Sequence, residues 1–562
     1  MTHTTRQGSG RRAPGAGLRG QGSLRNVAQG FSLAIVIAVL PIALPSQSPL
    51  AVESNVDAVF TTWTSSTPGC AVGVATGGTP ALAKGYGMAD LEHDVPISPD
   101  SLFEAGSVSK QFTAAAVMLL AREGKLSLDD QVRKYIPELP DYEPLGAPKR
   151  PGGGGGLTIR HMLNHTSGLR DWGNIAGIAG WPRTTRVHTH AHVLDIVSHQ
   201  RAVNFTPGTR WSYSNTGFNL AAIIVARVSG TPFPEFTRTR LFTPLGMTHT
   251  SWRDDHTRIE KGRAIAYRKN DDGFHTDMPF EDVYGNGGLL TTVGDLLKWN
   301  EHYDTPLAAD AAMLAEQQQP GRFNDGRPHG YGLGLFVGTY KGLREVSHSG
   351  STAGYSAFLA RFPDQRVSVA VLCNSAGAQA TQYAHAVADA YLGDRVKLTP
   401  PAPALTSEQM PGAVGLYRST LTGLALTVGR ETDTLRGRAW TFDGRGGVAT
   451  DEYGTTEAYE RVTPWSPAPQ ELDALAGTYT SDDAETVITA VVENGTLKLR
   501  RRPDTTITLT AIYAGAFSAP AFGTVIFKRD ASGRPSAFSV VQDRVWDLRF
   551  QRTAVLVDKP TK

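Results

Sequence analysis

Apolar residues along this chain fall into two rhythms. Short continuous runs at 69–75 (GCAVGVA) and 366–373 (RVSVAVLC) are rich in strand formers and predict buried β-strands. Between them Val108, Phe112, Ala115 and Leu119 recur at helical spacing, which predicts a helix with one face in a core. From about Ser54 to Leu392 strand-like runs and helical stripes alternate, so one mixed domain of sheet and helices is expected over 55–396. Gly152–Gly156 predicts a flexible surface loop within it. Thr399–Ala404 (TPPAPA) then marks a stiff linker over 397–410.

Beyond the linker the pattern is β throughout, over 411–557. Asn494-Gly495 sits between VITAVVE and TLKLR, the dipeptide that takes positive φ in a two-residue hairpin. Gly415–Ser419 (GLYRS) returns as Gly477–Ser481 (GTYTS), with the proline-rich stretch Pro464–Pro469 between the copies. Two related β units and a chance echo both fit that repeat.

Length and composition narrow the class. At about 150 residues per domain, 562 residues predict three or four folding units. With 40% hydrophobic and 19% charged residues the chain is globular, neither disordered nor collagenous, and two cysteines exclude a disulfide-rich scaffold. The net charge of +2 is too small to argue for nucleic acid as a partner. It is also unevenly placed: five arginines and no acid lie in residues 1–50, which leaves 50 bases against 53 acids in the remainder. Those arginines precede the apolar run Phe31–Leu44, and the layout is that of an export signal. The run is short for a membrane span and is broken by Pro41, so a retained anchor is the second reading and the one route to a membrane. The expected location is periplasmic or extracellular.

Three short motifs carry candidate chemistry. Ser107-Val-Ser-Lys110 opens the helical stripe, and three-residue spacing sets the Lys110 amine beside the Ser107 hydroxyl near a helix N-terminus. A serine alkoxide is hard to form near neutral pH, and a neighbouring basic group is one solution. Tyr213-Ser214-Asn215 follows a turn; a phenol beside a lysine can have its pKa lowered and shuttle protons, while Asn215 can bind a carbonyl and hold the lysine. His348-Ser349-Gly350-Ser351 precedes a strand-like run, where Gly350 permits close approach of substrate and the Ser351 N–H can donate to an oxyanion. His188, His190 and His192 alternate, but they run into a helical pattern and are expected to be surface residues rather than metal ligands. His161 and His165 lack the glutamate of a zinc-protease helix, and no Gly-x-Ser-x-Gly occurs.

Taken together, the order and wide spacing of the three motifs resemble the serine β-lactamase and penicillin-recognising superfamily. The branch in question holds class C β-lactamases, D-aminopeptidases, DD-carboxypeptidases and related esterases. The resemblance extends to Leu102–Thr113 (LFEAGSVSKQFT), Glu123–Asp130 (EGKLSLDD), Leu157–Leu169 (LTIRHMLNHTSGL), Pro244–Met247 (PLGM) and Gly287–Asp295 (GGLLTTVGD). It implies an α/β (α+β) catalytic domain with a five-stranded antiparallel sheet flanked by helices, followed by a lipocalin-like, all-β barrel domain. In it Ser107 would be acylated, Lys110 and Tyr213 would move its proton, and Asn215 would position substrate. The N–H groups of Ser107 and Ser351 would hold the oxyanion, with no cofactor and no metal. Most β-lactamases and carboxypeptidases begin the third motif with lysine, and this chain has His348, with an ordinary pKa near ~6.5, which recognises a carboxylate less well.

The implied function is therefore an exported serine hydrolase of small-molecule or peptide amides and esters, D-aminopeptidase, amidase or esterase-like. β-Lactamase or D-Ala-D-Ala carboxypeptidase action is the alternative. An inactive binding or sensor protein is the reading from another class, and it predicts loss of Ser107, Lys110 or Tyr213, all of which are present. In the family sheet the strands bearing Cys70 and Cys373 would be antiparallel neighbours, so these residues are either two buried thiols or a disulfide.

Overall fold

The two β-rich runs pair with each other at the middle of a six-stranded antiparallel sheet. In a computed structural model, which describes residues 49–142, 156–184, 186–396, 412–429, 438–451 and 453–553, this sheet comprises β1 (Cys70–Thr76), β2 (Thr79–Tyr86), β3 (Phe336–Tyr340), β4 (Leu343–Thr352), β5 (Tyr355–Phe362) and β6 (Val367–Cys373). Their order is β3-β4-β5-β6-β1-β2, one strand more than the five expected. The export segment, the glycines 152–155 and the proline-rich linker lie outside the described residues.

Helices cover both faces of the sheet, and this explains why β1 and β6 read as unbroken apolar runs rather than alternating ones. The helices that matter here are α1 (Pro49–Val59), α2 (Lys110–Arg122), α3 (Trp172–Ala179), α4 (Thr216–Ser229), α5 (Val293–Asp304) and α6 (Ala380–Leu392). Val72, Val74, Val369 and Val371 point into a core shared with α1 and α6. Ala71, Ala75, Ala370 and Leu372 point to the opposite core, with α2, α4 and α5. Cys70 stands opposite Cys373 in the register, and the two form a disulfide. Helix α2 is buried from Lys110 to Leu120, so its stripe widens into an all-round core helix.

The C-terminal β region consists of two sheets. The smaller has five strands, β7 (Gly415–Ser419), β8 (Ala425–Val428), β9 (Arg438–Phe442), β10 (Gly446–Asp451) and β11 (Thr456–Val462), in the order β8-β7-β11-β10-β9. The larger has nine, from β12 (Gly477–Ser481), β13 (Thr486–Glu493), β14 (Thr496–Arg501) and β15 (Thr505–Thr508) through β16 (Thr510–Tyr513), β17 (Ala516–Ala519), β18 (Gly523–Arg529), β19 (Pro535–Gln542) and β20 (Val545–Arg552). Its order, β15-β14-β13-β12-β20-β19-β18-β17-β16, gives a nearly closed barrel.

The sequence echo marks the first strand of each sheet, and the contacts around it repeat. Tyr417 donates to the carbonyl of Ala413, and Tyr479 to that of Leu475, each at 2.8 Å and four residues back. Arg461, opposite Tyr417 in the register, donates to the carbonyls of Gly412 and Val414. Arg552, opposite Tyr479, donates to those of Ala474 and Ala476. Ser419 and Ser481 each accept the N–H three residues on.

Helix α3 joins the barrel to the catalytic domain. Trp172 and Ala176 lie in the catalytic core, while Ile175, Ile178 and Ala179, on the other face, lie in the barrel core. Burying each isoleucine contributes about 1.5–3 kcal/mol to docking before ordering costs. Polar contacts fix the angle: Arg170 donates to Asp483 at 2.8 Å, Asn174 to Gln542 at 2.6 Å and Gln200 to the Asp483 carbonyl at 2.6 Å.

Candidate active site

All seven residues singled out from the sequence meet at one cleft of about 580 Å³. Ser107, Tyr213, Asn215, His348, Gly350 and Ser351 line it, and Lys110 lies immediately beneath Ser107. The convergence has a backbone cause. Gly106 has a φ of +52° and leads a tight turn, Gly106–Ser109, into α2. This turn presses against β4: a Cβ on Gly106 would meet the Ser351 nitrogen at 2.6 Å, and one on Gly350 would meet the Ala105 carbonyl oxygen at 2.0 Å. The space at Gly350 is thus taken by the protein's own backbone rather than by substrate, and the Ser107 and Ser351 amides are brought side by side.

Lys110 has lost its water. Its side chain is fully buried, and Nζ lies 2.9 Å from Ser107 Oγ, 2.9 Å from Asn215 Oδ1 and 2.7 Å from the Asn286 carbonyl. Burial holds the amine well below its ordinary value; Asp171 opposes that shift, and the charges of Arg544 and Arg183 add to it. Nζ donates to all three; when the amine is neutral it keeps the bonds to Asn215 and Asn286, and its lone pair faces the Ser107 hydroxyl and can take its proton.

Tyr213 corrects the expectation from its neighbour. Lys110 Nζ sits 4.8 Å from the ring centroid, yet the phenol is pushed up rather than down, because burial outweighs the help it receives from Ser107 and Arg544. Lys110 is therefore the group disposed to accept a proton and Tyr213 the group disposed to keep one. His348 is also buried, and burial, reinforced by Lys110, brings it down to about 3. It accepts from the Tyr331 hydroxyl at 2.8 Å and donates through Nδ1 to the Ser349 carbonyl at 2.6 Å, so it is a neutral strut. His165 packs against the Tyr213 ring, centroids 4.2 Å apart, and its Nδ1 accepts the Ser214 N–H.

Several neighbours had no motif to announce them. Asp171 caps α3 and accepts the Asn215 N–H at 2.7 Å, Asn286 contributes a main-chain carbonyl, and Trp211, Arg183 and Arg544 line the cleft. Arg544 comes from the barrel. The three alternating histidines are structural rather than loose surface groups: His188 and His190 bond the carbonyls of Trp181 and Tyr284, and His192 bonds the Thr189 N–H in a capping box at the N-terminus of a short helix, His190–Ser198.

A serine held by a buried lysine whose amine is pushed toward the neutral form, with two amides beside it, defines a serine acyl-transfer site. Residues 55–392 match the Beta-lactamase family model, and the chain belongs to that family. It is a serine hydrolase. It is 30% identical over 334 residues to a penicillin-binding protein of Bacillus subtilis, covering 56% of this chain and 69% of that one. It is 27% identical over 362 residues to a D-aminopeptidase of Gluconobacter oxydans, covering 64% of this chain and 65% of that one. A penicillin-binding protein homologue from Pyrococcus abyssi has a similar fold, with a TM-score of 0.52 at 23% identity, covering 82% of this chain and 100% of that one.

Proposed function

We propose that this chain is an exported serine hydrolase that cleaves amide or ester bonds through an acyl-enzyme on Ser107. Ser107 Oγ attacks the carbonyl carbon as Lys110 Nζ takes its proton, and the amides of Ser107 and Ser351 receive the charge on the oxygen. Tyr213 relays a proton to the departing nitrogen or oxygen and regains one from protonated Lys110, so the phenol ends as it began and the lysine is neutral again. The lysine then deprotonates the water that attacks the acyl carbon and returns that proton to Ser107 Oγ as the acid leaves. Asn215 and Asn286 hold the lysine in register. The observation that carries this reading is Lys110 Nζ at 2.9 Å from Ser107 Oγ, buried and ringed by acceptors. The D-aminopeptidase relatives support amides of D-residues as the first donors to try, and the neutral His348 supports these and esters over lactams. Export rests on the arginine-then-apolar order of the first fifty residues.

A serine-reactive fluorophosphonate tests the core of the proposal. It is expected to add its mass to the wild type and not to Ser107→Ala, and N-acetyl-D-alanine p-nitroanilide or a short acyl ester is expected to turn over only with Ser107 present. An unlabelled wild type would refute the reading.

A further inference from the structure

The cleft holds charge that the chemistry at Ser107 does not use. Arg183 and Arg544 both line it, and among the described residues lining it none is acidic. The two arginines differ in what they already hold. Arg183 donates to both carboxylate oxygens of Glu281, a side chain only 5% exposed, and is matched. The one ion-pair partner of Arg544 among the described residues is its neighbour Asp543, 3.4 Å away and 74% exposed, where water screens the pair.

The backbone of Arg544 is, by contrast, firmly placed. It occupies the turn between β19 and β20, and its carbonyl accepts the Asp171 N–H at 3.3 Å and the Asn204 side-chain amide at 3.0 Å. Asp171 in turn holds the Asn215 N–H, so the hairpin is tied directly to the site. The guanidinium lies 4.7 Å from the Tyr213 ring centroid. Packing on a ring face leaves the N–H edge of a guanidinium open, and that edge matches a carboxylate. Among the described residues that line the cleft, the other two candidates for a positive charge are taken: Arg183 is paired and His348 is a neutral strut. A free α-ammonium, meanwhile, would face the unmatched charge of Arg544 and, among the described lining residues, no acid.

We propose that Arg544 is a substrate-recognition residue supplied by the C-terminal barrel, which binds a carboxylate of the acyl donor and so selects carboxylate-bearing donors over those with a free α-ammonium. This rests on the serine hydrolase reading above and narrows its donors to D-residue amides or esters whose amine is blocked. The carboxylate can be carried by the leaving group or by the acyl part. The shared chemistry is the same, and matched substrates separate the two sources.

The test uses the full chain as wild type, Arg544→Gln and Arg544→Lys. One substrate pair is the N-acetyl-D-alanyl thioester of mercaptoacetic acid and of its methyl ester, which differ by a leaving-group carboxylate. The other pair is N-succinyl- and N-acetyl-D-alanine p-nitroanilide, which differ by an acyl-side carboxylate, with D-alanine p-nitroanilide as the free amine. In one pair the wild type is expected to favour the carboxylate by roughly tenfold or more in kcat/KM, mainly through KM. Arg544→Gln collapses that ratio whatever it does to both members, Arg544→Lys retains part of it, and the free amine is the slowest anilide. No preference in either pair, a ratio unchanged in Arg544→Gln, or a free amine that outruns the N-acetyl anilide would each overturn the proposal. Fluorophosphonate labelling of the same preparations separates the two failures: labelled Ser107 without preference sinks the role of Arg544 alone, and an unlabelled wild type sinks the hydrolase reading with it.

Discussion

The two C-terminal sheets begin alike and end differently. Both open on a Gly-x-Tyr-x-Ser strand, and both tie it down with a tyrosine hydroxyl bonded four residues back and an arginine from the last strand. The nine-stranded sheet then wraps around a core that includes Tyr479, Phe527, Phe538 and Phe550 and takes in one face of α3. Among the described residues, the core cluster of the five-stranded sheet is Ala413, Tyr417 and Val428, with Leu426, Trp440, Phe442 and Tyr459 partly buried against it. A repeated strap therefore fixes how a sheet starts but not how much it can bury. Burial decides which sheet is rigid enough to hold a guanidinium beside Tyr213, where a displacement of an ångström changes recognition.

That contrast can be broken at several levels. The largest expected effect is in the barrel core. Phe538→Ala removes a ring stacked on Phe550 at 4.7 Å and should cost about 3–5 kcal/mol, whereas Val428→Ala in the smaller sheet should cost no more than about 2 kcal/mol. Thermal or urea melts of the two variants check this, and equal losses would show that the sheets do not differ in core strength. Next come the straps. Tyr417→Phe and Tyr479→Phe each remove the hydroxyl that bonds the carbonyl four residues back, which Tyr417 shares with the Gly412 carbonyl at 3.3 Å, and should each cost about 1 kcal/mol; a marked inequality would undo the equivalence of the two locks.

The smallest effect concerns pH. Lys110 must be neutral to accept the Ser107 proton, so kcat/KM falls as pH drops through the lysine's value. Arg544 and Arg183 help to lower that value and Asp171 raises it. Removing a positive neighbour raises it, so Arg544→Gln should move the acid limb to higher pH for an uncharged substrate. Arg461→Gln, in the smaller sheet, should leave the limb in place. A limb that does not move in Arg544→Gln would mean that the barrel charge is not felt at the lysine.

Much of the site was legible before any fold was known. Ser107 and Lys110 are one helical turn apart, and the preference of a helix for its own spacing is enough to bring them together. Tyr213, Asn215 and His348 were legible through the resemblance of whole motifs. What escaped has physical reasons. Asn286 acts through a carbonyl that every residue possesses. The ionisation of Tyr213 was misread because a neighbouring lysine is visible in sequence and burial is not. His348 was expected near ~6.5 and lies at about 3, for the same reason. The sheet has six strands where the resemblance implied five, and its edge strand β3 is short and largely exposed, so no apolar run marks it in the sequence.

The sequence by itself determined what acts over a few residues: the serine and lysine on one turn, the buried runs of β1 and β6, and the tyrosine straps that start both β sheets. Tertiary structure alone decided which charges share the cleft and which groups lose their water. Arg544 meets Tyr213 because α3 is buried in two cores at once and a hairpin carbonyl is held by Asp171 and Asn204. Desolvation and charge sum over everything nearby in space, whatever its distance along the chain, and no local pattern encodes that sum.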